Sequence, residues 1–398
     1  MLTGSMSLPT APHPASRLAL RAFPWLTVAL VLAGWFSVQF EGGYFDPLLF
    51  GRVFHDRALP EVHEIVPTTP SHEFGYDGQF YVQMAMRPRA TDPELHAAMD
   101  NAPYRLRRIG WPALMHAIGL GHPRAVMHAY LWSNVVCWGV LAWVLWRRLM
   151  VAPGWKAAAA WFVLVTSVGF LSSVRCALLD LPALLVLLLA LEARERGRLA
   201  ACALLIASAG LIKETSLLAV VLLWPAEPRA WRAWVRSGLL AGVAALPVLA
   251  WTVWLGARYG WDLVAGHENL ALPGTAAWAR MGTILADCLA QGFSRPTLWP
   301  LVTWLGLAFQ LACLLRWTSP RTPAGKLGLA FGVLLLFSGP NVWGELVMAV
   351  PRAVLPVSPI AVLVSVERRA SWYWIAGHAL LALHGWDMLK LPVLRHIL

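Results

Sequence analysis

Long apolar runs alternate with short polar segments along most of this 398-residue chain. An apolar run of about 18 residues or more is long enough to cross the hydrocarbon layer of a bilayer as a helix. Runs of this length lie at 23–40, 125–146, 238–255, 297–315 and 371–389. The pattern therefore predicts an all-α, polytopic membrane protein.

The middle of the chain has shorter apolar runs, which are interrupted by ionisable residues. These runs lie at 157–172, 177–191, 199–212 and 215–224. Apolar segments of about 10 to 14 residues are poor full spans and are often partial or re-entrant helices. Ionisable residues between them are tolerated only where protein or water surrounds them, so we expect a cavity lined by Arg175, Asp180, Lys213 and Glu214. Full and partial helices together predict about 10 or 11 membrane segments.

The charge pattern predicts how these helices are oriented. Although the formal net charge is +11, the basic residues cluster in short loops between apolar runs. This is typical of the cytoplasmic loops of membrane proteins and does not indicate binding to nucleic acid. Arg17 and Arg21 precede the first run, and they place the amino terminus in the cytoplasm.

This orientation divides the chain into a cytoplasmic tail, residues 1–22, and a single membrane domain, residues 23–398. Two loops of that domain are then extracytoplasmic, at 41–124 and 256–296. Ten of the 21 acidic residues fall in residues 41–100, so the first loop differs in composition from the rest of the chain. Long loops in compact proteins are usually functional or disordered, and the aromatic residues of this loop indicate order.

The stretch "EFGYDGQFYVQM" in the first loop contains a candidate catalytic acid, Asp77. Asp-Gly is a turn dipeptide, and an Asp side chain readily bonds the backbone two residues further on. A helix that begins near Asp77 would instead place the acid in its first turn, beside the bilayer surface. There a partly desolvated carboxylate can accept a proton from a hydroxyl nucleophile. Spacing alone leaves both interpretations open.

Five basic residues are candidates for binding a phosphate group: Arg105, Arg107, Arg108, Lys213 and Arg352. The first three precede an amphipathic segment and could snorkel to lipid headgroups, although a guanidinium fork also suits a phosphate. Lys213 lies either at a hairpin tip or in the cavity, and it is not expected to pair with the adjacent Glu214. Arg352 lies between two prolines, where it either snorkels or clamps an anion.

Other polar residues favour structural interpretations. Asp180 directly precedes Leu-Pro, which favours a role as a helix N-cap. His-acid pairs recur at His55, His63 and His72, and such ligands could hold a divalent ion. Their spacing matches no tight metal motif, so we expect a solvated loop with neither metal nor cofactor. The five cysteines lie in or beside apolar segments and indicate no disulfide framework.

The stretch "YDGQFYVQMAMRP", followed by "APYRLRRIGWPALM", resembles the first outside loop of a known family. This family comprises the polyprenyl-phosphate-sugar-dependent glycosyltransferases of the GT-C superfamily, near the PIG-V-like and bacterial mannosyltransferase-like membrane proteins. Three later segments are similar to that superfamily's short middle helices, its Lys-containing segment and its Arg-containing late helix: "RCALLDLPALLVLLLAL", "AGLIKETSLL" and "PRAVLPVSPIAVL". The likeness runs in order from about Phe23 to Val366.

The resemblance implies a GT-C-like fold and an inverting transfer on the outer face of a bacterial-type cytoplasmic membrane. The sugar would pass from a polyprenyl-phosphate hexose to a hydroxyl group of a cell-envelope glycan or lipid. Asp77 would act as general base, and the donor phosphate would lie near some of the five basic residues. The residues expected to contact substrate are Glu73, Tyr76, Gln79, Tyr81 and Arg175. Many relatives carry a second acid beside the first, whereas Asp77 has Tyr76 and Gly78 as neighbours.

Two other classes of protein fit the composition. A lipid or glycan transporter would show matching repeats and ionisable residues near the bilayer midplane, whereas here many of the acids lie in one outside loop. A non-catalytic membrane protein of polysaccharide assembly could keep the fold without the chemistry. The expected partners of the enzyme are the lipid-linked donor, the acceptor and membrane lipids.

Overall fold

The computed structural model describes residues 14–67, 72–151, 153–225, 231–264, 269–345, 349–368 and 372–389. Over these residues the chain is helical, with no strand and only two isolated β-bridges, Gly51 to His72 and Leu270 to Ser338. The all-α prediction is confirmed.

The first half of the chain contains helices α1 to α11 and one short 3₁₀ helix, Asp46–Leu48. The α-helices are α1 (Pro14–Gly42), α2 (Arg52–His55), α3 (Pro60–Ile65), α4 (Gly78–Met86), α5 (Pro93–Ala97), α6 (Ala102–Leu106), α7 (Gly110–Ile118), α8 (Pro123–Leu149), α9 (Trp155–Val165), α10 (Val168–Arg175) and α11 (Asp180–Glu195).

The second half contains helices α12 to α21 and a longer 3₁₀ helix, Glu214–Leu223. The α-helices are α12 (Leu199–Ile212), α13 (Trp231–Tyr259), α14 (Trp261–Val264), α15 (Thr275–Gln291), α16 (Arg295–Trp317), α17 (Pro323–Phe337), α18 (Pro340–Gly344), α19 (Ala349–Ala353), α20 (Val357–Glu367) and α21 (Trp372–Met388).

Four helices in the described residues are long and apolar enough to cross a membrane: α1, α8, α13 and α16. They contain the predicted runs 23–40, 125–146, 238–255 and 297–315. The fifth predicted run, 371–389, corresponds to the 17-residue helix α21, and its first residue lies outside the described part. The chain is therefore an α-helical protein with several helices that can span a membrane.

The short runs in the middle of the chain form shorter or broken helices. Helices α9 and α10 meet at a 44° bend, and together they are apolar enough to make a fifth span. Gly385 of α21 packs against this bend, where a Cβ atom would collide with the carbonyl oxygen of Thr166. The segment after α12 is a 3₁₀ helix rather than an α-helix. The predicted interruptions near Arg175 and Lys213 are thus real breaks in the helices.

The ends of these helices meet at two opposite ends of the bundle. At one end, which we call the basic end, Arg148 of α8 pairs with Glu195 of α11 at 2.8 Å. Lys326 of α17 also donates to the carbonyl oxygen of Trp224 at 2.9 Å there, which joins α17 to the 3₁₀ helix. The other end, which we call the site end, contains the start of α11 and the junction between α12 and the 3₁₀ helix.

The long loop between α1 and α8 is folded onto the site end of the bundle. Helix α4 is buried along its whole length and packs between the other loop helices and α8. Gln83 of α4 accepts a hydrogen bond from the backbone of Leu59 at 2.8 Å. His116 of α7 bonds the carbonyl oxygen of Ala85 at 2.9 Å. The described residues of this loop therefore form short helices that pack on the bundle and on one another.

Candidate functional site

The backbone around Asp77 brings this acid close to the bundle. Gly75 has a φ of +67°, in the left-handed region that glycine adopts readily. Gly78 lies against α10 so closely that a Cβ atom would be 2.5 Å from the carbonyl oxygen of Cys176. Asp77 therefore lies directly before the buried helix α4, as the sequence predicts for a helix that begins there.

The Asp77 side chain does not cap α4. Its carboxylate instead pairs with Arg105, with Oδ1 2.8 Å from Nη1. The second oxygen lies 3.9 Å from Nη1 of Arg352. The side chain of Asp77 is 22% exposed, so the acid can be reached from solvent while two guanidinium groups face it.

Asp180 has a different role from the one that its sequence context predicts. The prediction of an N-cap is wrong, because Asp180 is the first residue inside α11 and Leu179 is the N-cap residue. The carboxylate points to other elements, with Oδ1 2.5 Å from Lys213 Nζ and Oδ2 3.2 Å from Arg352 Nη1. Lys213 also donates to the carbonyl oxygen of Arg352 at 3.3 Å. Asp180 thus joins α11 to the end of α12 and to α19.

Arg352 connects Asp180 to Asp77 and to an aromatic residue. It is buried within α19, and its Nη2 donates to the hydroxyl oxygen of Tyr76. That hydroxyl in turn donates to Glu345 at 3.1 Å. The guanidinium carbon lies 5.0 Å from the centre of the Tyr76 ring. Asp77, Asp180, Lys213, Arg352 and Tyr76 therefore form one contact network, which we call the central network.

Arg105 holds the other side of Asp77. Its guanidinium makes two further hydrogen bonds to Asp100, at 3.0 and 2.7 Å. It also lies 4.9 Å from the centre of the Phe80 ring, within cation–π range. Arg105 is therefore paired with two carboxylates of the protein itself, those of Asp77 and Asp100.

Arg107 and Arg108 form a second charged group around Glu214. Arg107 lies 3.2 Å from Glu214, and Arg108 makes two contacts to the same carboxylate at 2.9 Å. Arg108 also donates to the hydroxyl of Tyr81 at 2.7 Å, and that hydroxyl lies 3.5 Å from Arg105. As expected from their adjacency, Lys213 and Glu214 do not pair with each other. Glu214 docks the first loop onto the bundle.

Three of the residues expected to bind substrate have other contacts. Arg175 pairs with Asp46 at 2.6 Å and is buried. The amide group of Gln79 is used by the loop backbone, since it accepts from Gly51 at 3.0 Å and donates to Phe74 at 2.9 Å. Glu73 is exposed, and its carbonyl oxygen accepts a hydrogen bond from the backbone of Val53 at 3.0 Å.

Charge and burial act in opposite directions on Asp77. Burial alone would raise the pKa of this carboxyl, but the guanidinium groups of Arg105, Arg352 and Arg108 outweigh that effect and lower the pKa below its usual value of 3.8. Burial is also the main cause that raises the pKa of the neighbouring Tyr76 above 10.0. At neutral pH the site therefore holds an ionised Asp77 beside a protonated phenol.

Asp77 has no acid beside it in the sequence, but another acid lies close to it in space. Asp77 and Asp180 both face Nη1 of Arg352, at 3.9 and 3.2 Å. Sequence reasoning expected Asp180 in a cavity but gave it a structural role. The signal for its contacts is that Asp180, Lys213 and Arg352 each interrupt apolar segments whose ends fall on the same side of the bundle.

The described residues contain no group of three or more His, Cys, Asp or Glu side chains that could hold a metal ion. His72 lies 3.7 Å from Asp46, and His55 packs against His63 with ring centres 4.7 Å apart. These contacts hold the first loop together and do not converge on a common point.

The basic residues predicted to bind phosphate thus divide between two places. Lys213 and Arg352 meet at Asp180, and Arg105 meets them through Asp77. Arg107 and Arg108 are held by Glu214. No protein-family model, curated protein or solved structure was found to match the chain.

Proposed function

We propose that the protein transfers a sugar from a polyprenyl-phosphate donor to a hydroxyl group of a cell-envelope glycan or lipid. The observation that carries this proposal is the central network, in which an accessible carboxylate, Asp77, lies 3.9 Å from the buried Arg352, and Asp180 links Arg352 to the half-buried Lys213. A glycosyl transfer of this kind needs a base for the acceptor and fixed positive charge for a phosphate leaving group. Both lie at one end of a bundle of apolar helices.

The distribution of charge supports an outward-facing site. The basic end carries arginines and lysines at the ends of several helices, as at Arg148 and Lys326. Basic residues of this kind favour the cytoplasmic side of a membrane, which leaves the site end outside.

With the short helices counted as crossings, the chain would have about 10 or 11 membrane segments.

Helix lengths support a lipid-linked donor. Helices α8 and α11 end together at the basic end through Arg148 and Glu195. At 1.5 Å per residue, the 27 residues of α8 span about 40 Å, whereas the 16 residues of α11 span about 24 Å. The hydrocarbon layer is about 30 Å thick, so Asp180 would lie several ångströms below its outer boundary. A recessed site can meet the phosphate of a lipid that stays in the bilayer.

The proposed reaction is a single displacement. The acceptor oxygen attacks the anomeric carbon and forms the new glycosidic bond, while the bond between that carbon and the phosphate oxygen breaks. The phosphate keeps the electron pair, and the hydroxyl proton passes to Asp77 and then to water. Attack opposite to the leaving group inverts the configuration at the anomeric carbon.

The lowered pKa of Asp77 is compatible with this role. The transition states of glycosyl transfer resemble an oxocarbenium ion, so the acceptor hydroxyl becomes acidic only as its bond to carbon forms. A weak base that is ionised over a wide pH range can accept the proton at that late stage. Tyr76 lies beside the acid and is half-buried, so part of it can contact a sugar. The expectation that Tyr81 contacts substrate is wrong, because its side chain is fully buried.

A transfer assay tests the proposal. Purified protein in lipid nanodiscs would receive radiolabelled polyprenyl-phosphate hexoses together with membrane glycolipid or glycan acceptors, and transfer of label is expected. Arg352→Gln should raise the donor KM by about tenfold or more, because a charged contact to the phosphate is lost. The control is Arg316→Gln, which changes an exposed arginine in the last turn of α16 and should leave KM unchanged. Donor binding without any transfer would contradict catalysis and favour a non-catalytic protein.

A further inference from the structure

The central network contains an acid that the proposed reaction does not use. Asp180 is 6% exposed, and the hydrogen bonds and ion pairs of its carboxylate in the described residues go to Lys213 and Arg352. It makes no hydrogen bond to the start of its own helix. Its carboxylate therefore pairs with Lys213 and Arg352 and does not cap its own helix.

The two oxygens of Asp180 each bind a different cation. One oxygen binds Lys213 at 2.5 Å, and the other binds Arg352 at 3.2 Å. Asp77 is a poorer partner for these cations, since it lies 3.9 Å from Arg352 and only 2.8 Å from Arg105. Of the two acids, Asp180 is thus the one that pairs with both Lys213 and Arg352, the cations predicted to bind phosphate.

Among the described residues, the site contains equal numbers of acidic and basic side chains. The side chains linked by the contacts described above include five acids, Asp77, Asp100, Asp180, Glu214 and Glu345, and five basic residues, Arg105, Arg107, Arg108, Lys213 and Arg352. A phosphodiester adds one negative charge. In a partly buried site a second anion is costly, so a phosphate must compete with an internal carboxylate for the same cations.

We propose that Asp180 is an internal substitute for the donor phosphate, which holds Lys213 and Arg352 in place while the site is empty. Binding of a polyprenyl phosphate displaces the carboxylate from one or both cations, and departure of the lipid product restores the contacts. Asp180 is then a positioning residue that competes with the lipid phosphate and promotes its release. This inference rests on the proposed function, because it names the ligand of the same site.

The test measures binding of polyprenyl monophosphate to the full-length protein in nanodiscs, without any transfer step. Asp180→Asn removes the competing charge and should bind this lipid at least about tenfold more tightly than the wild type. Under transfer conditions the same variant should show a lower donor KM and a lower kcat, because the lipid product leaves slowly. A purely structural Asp180 would give weaker or unchanged binding, and that result would overturn the inference.

Asp180→Asn leaves the buried Arg352 and the half-buried Lys213 with less compensation and can lower stability. Polyprenyl monophosphate should then raise the thermal stability of this variant more than that of the wild type, since the lipid restores the missing negative charge. The double variant Asp180→Asn/Lys213→Met removes one charge of each sign and should bind the lipid no more tightly than the wild type. A stability gain equal to that of the wild type, or tight binding by the double variant, would contradict the inference.

Two further arms identify the source of the phosphate. Phosphatidic acid in the nanodisc and inorganic phosphate in solution also present a phosphate group to the site. Both should bind more weakly than polyprenyl phosphate. Equal binding of phosphatidic acid would contradict the assignment to a prenyl lipid. A wild-type protein that binds none of these phosphates would overturn the proposed function itself, whereas wild-type binding that Asp180→Asn fails to improve overturns only the role of Asp180.

Discussion

The contact between Glu214 and the two arginines allows a test of how the first loop is held on the bundle. Glu214→Gln keeps the shape of the side chain but removes its charge from Arg107 and Arg108, which lie 3.2 and 2.9 Å away. Breaking a fully buried ion pair costs about 3 to 5 kcal/mol. The Glu214 side chain is 23% exposed, so we expect a smaller loss, about 2 to 3 kcal/mol.

This loss can be read as a shift in the thermal unfolding of the protein in nanodiscs or mild detergent. One kcal/mol corresponds to about 2 to 4 °C in domains of 150 to 250 residues, and to less in a larger chain. A decrease in Tm of about 3 to 5 °C is therefore expected for Glu214→Gln. The control is Glu195→Gln, which breaks the exposed pair with Arg148 at the basic end and should cost less than about 1 kcal/mol. A Tm shift for Glu214→Gln no larger than that of the control would refute the docking role.

The remaining predictions concern the position and charge of Asp77. Because the pKa of Asp77 lies below its usual value of 3.8, the carboxylate stays ionised as the pH falls, and the rate of transfer should show no loss from its protonation above about pH 5. Arg105→Gln removes the largest lowering charge, so the pKa should rise and the acid limb of the pH–rate profile should move to higher pH; an unchanged profile would contradict the assignment. Gly78→Ala should shift the start of α4 away from Cys176 and reduce both transfer and Tm, whereas Gly139→Ala, at a position in α8 with no atom within 4 Å of the added Cβ, should reduce neither. Equal effects of the two glycine substitutions would show that the close packing at Gly78 has no role.

The helices that hold the site follow directly from hydrophobic pattern, because long apolar runs have few structures open to them in a membrane. The run at 125–146 lies within α8, and the ionisable breaks at Arg175 and Lys213 are helix ends in the structure. Of the residues expected to line a cavity, Asp180 and Lys213 contact each other at 2.5 Å. Arg175, in contrast, is held by Asp46, which is 129 residues away in the chain.

The pairing of charges could not be predicted in the same way. Asp180 was assigned to a helix cap because a cap depends on neighbouring residues, whereas its partners lie 33 and 172 residues away. Arg107 and Arg108 are candidates for binding a phosphate or lipid headgroups, yet both pair with Glu214, which lies more than 100 residues further along the chain. Such pairs depend on which helix ends lie together, and local spacing carries no information about that. If the membrane crossings are counted along the chain, Asp180, Lys213 and Arg352 fall on the same side of the membrane, and this would have predicted that they lie together.

The most direct test of the central claim is a single-turnover transfer experiment. Protein in nanodiscs would first be loaded with a radiolabelled polyprenyl-phosphate hexose, and label on the acceptor would be followed after the acceptor is added. Asp77→Asn should retain the bound donor but transfer at least about 100-fold more slowly, as expected for loss of a general base. Asp56→Asn, which changes an exposed acid of the same loop, should transfer at the wild-type rate. Wild-type transfer by Asp77→Asn would contradict the assignment of Asp77 as the base.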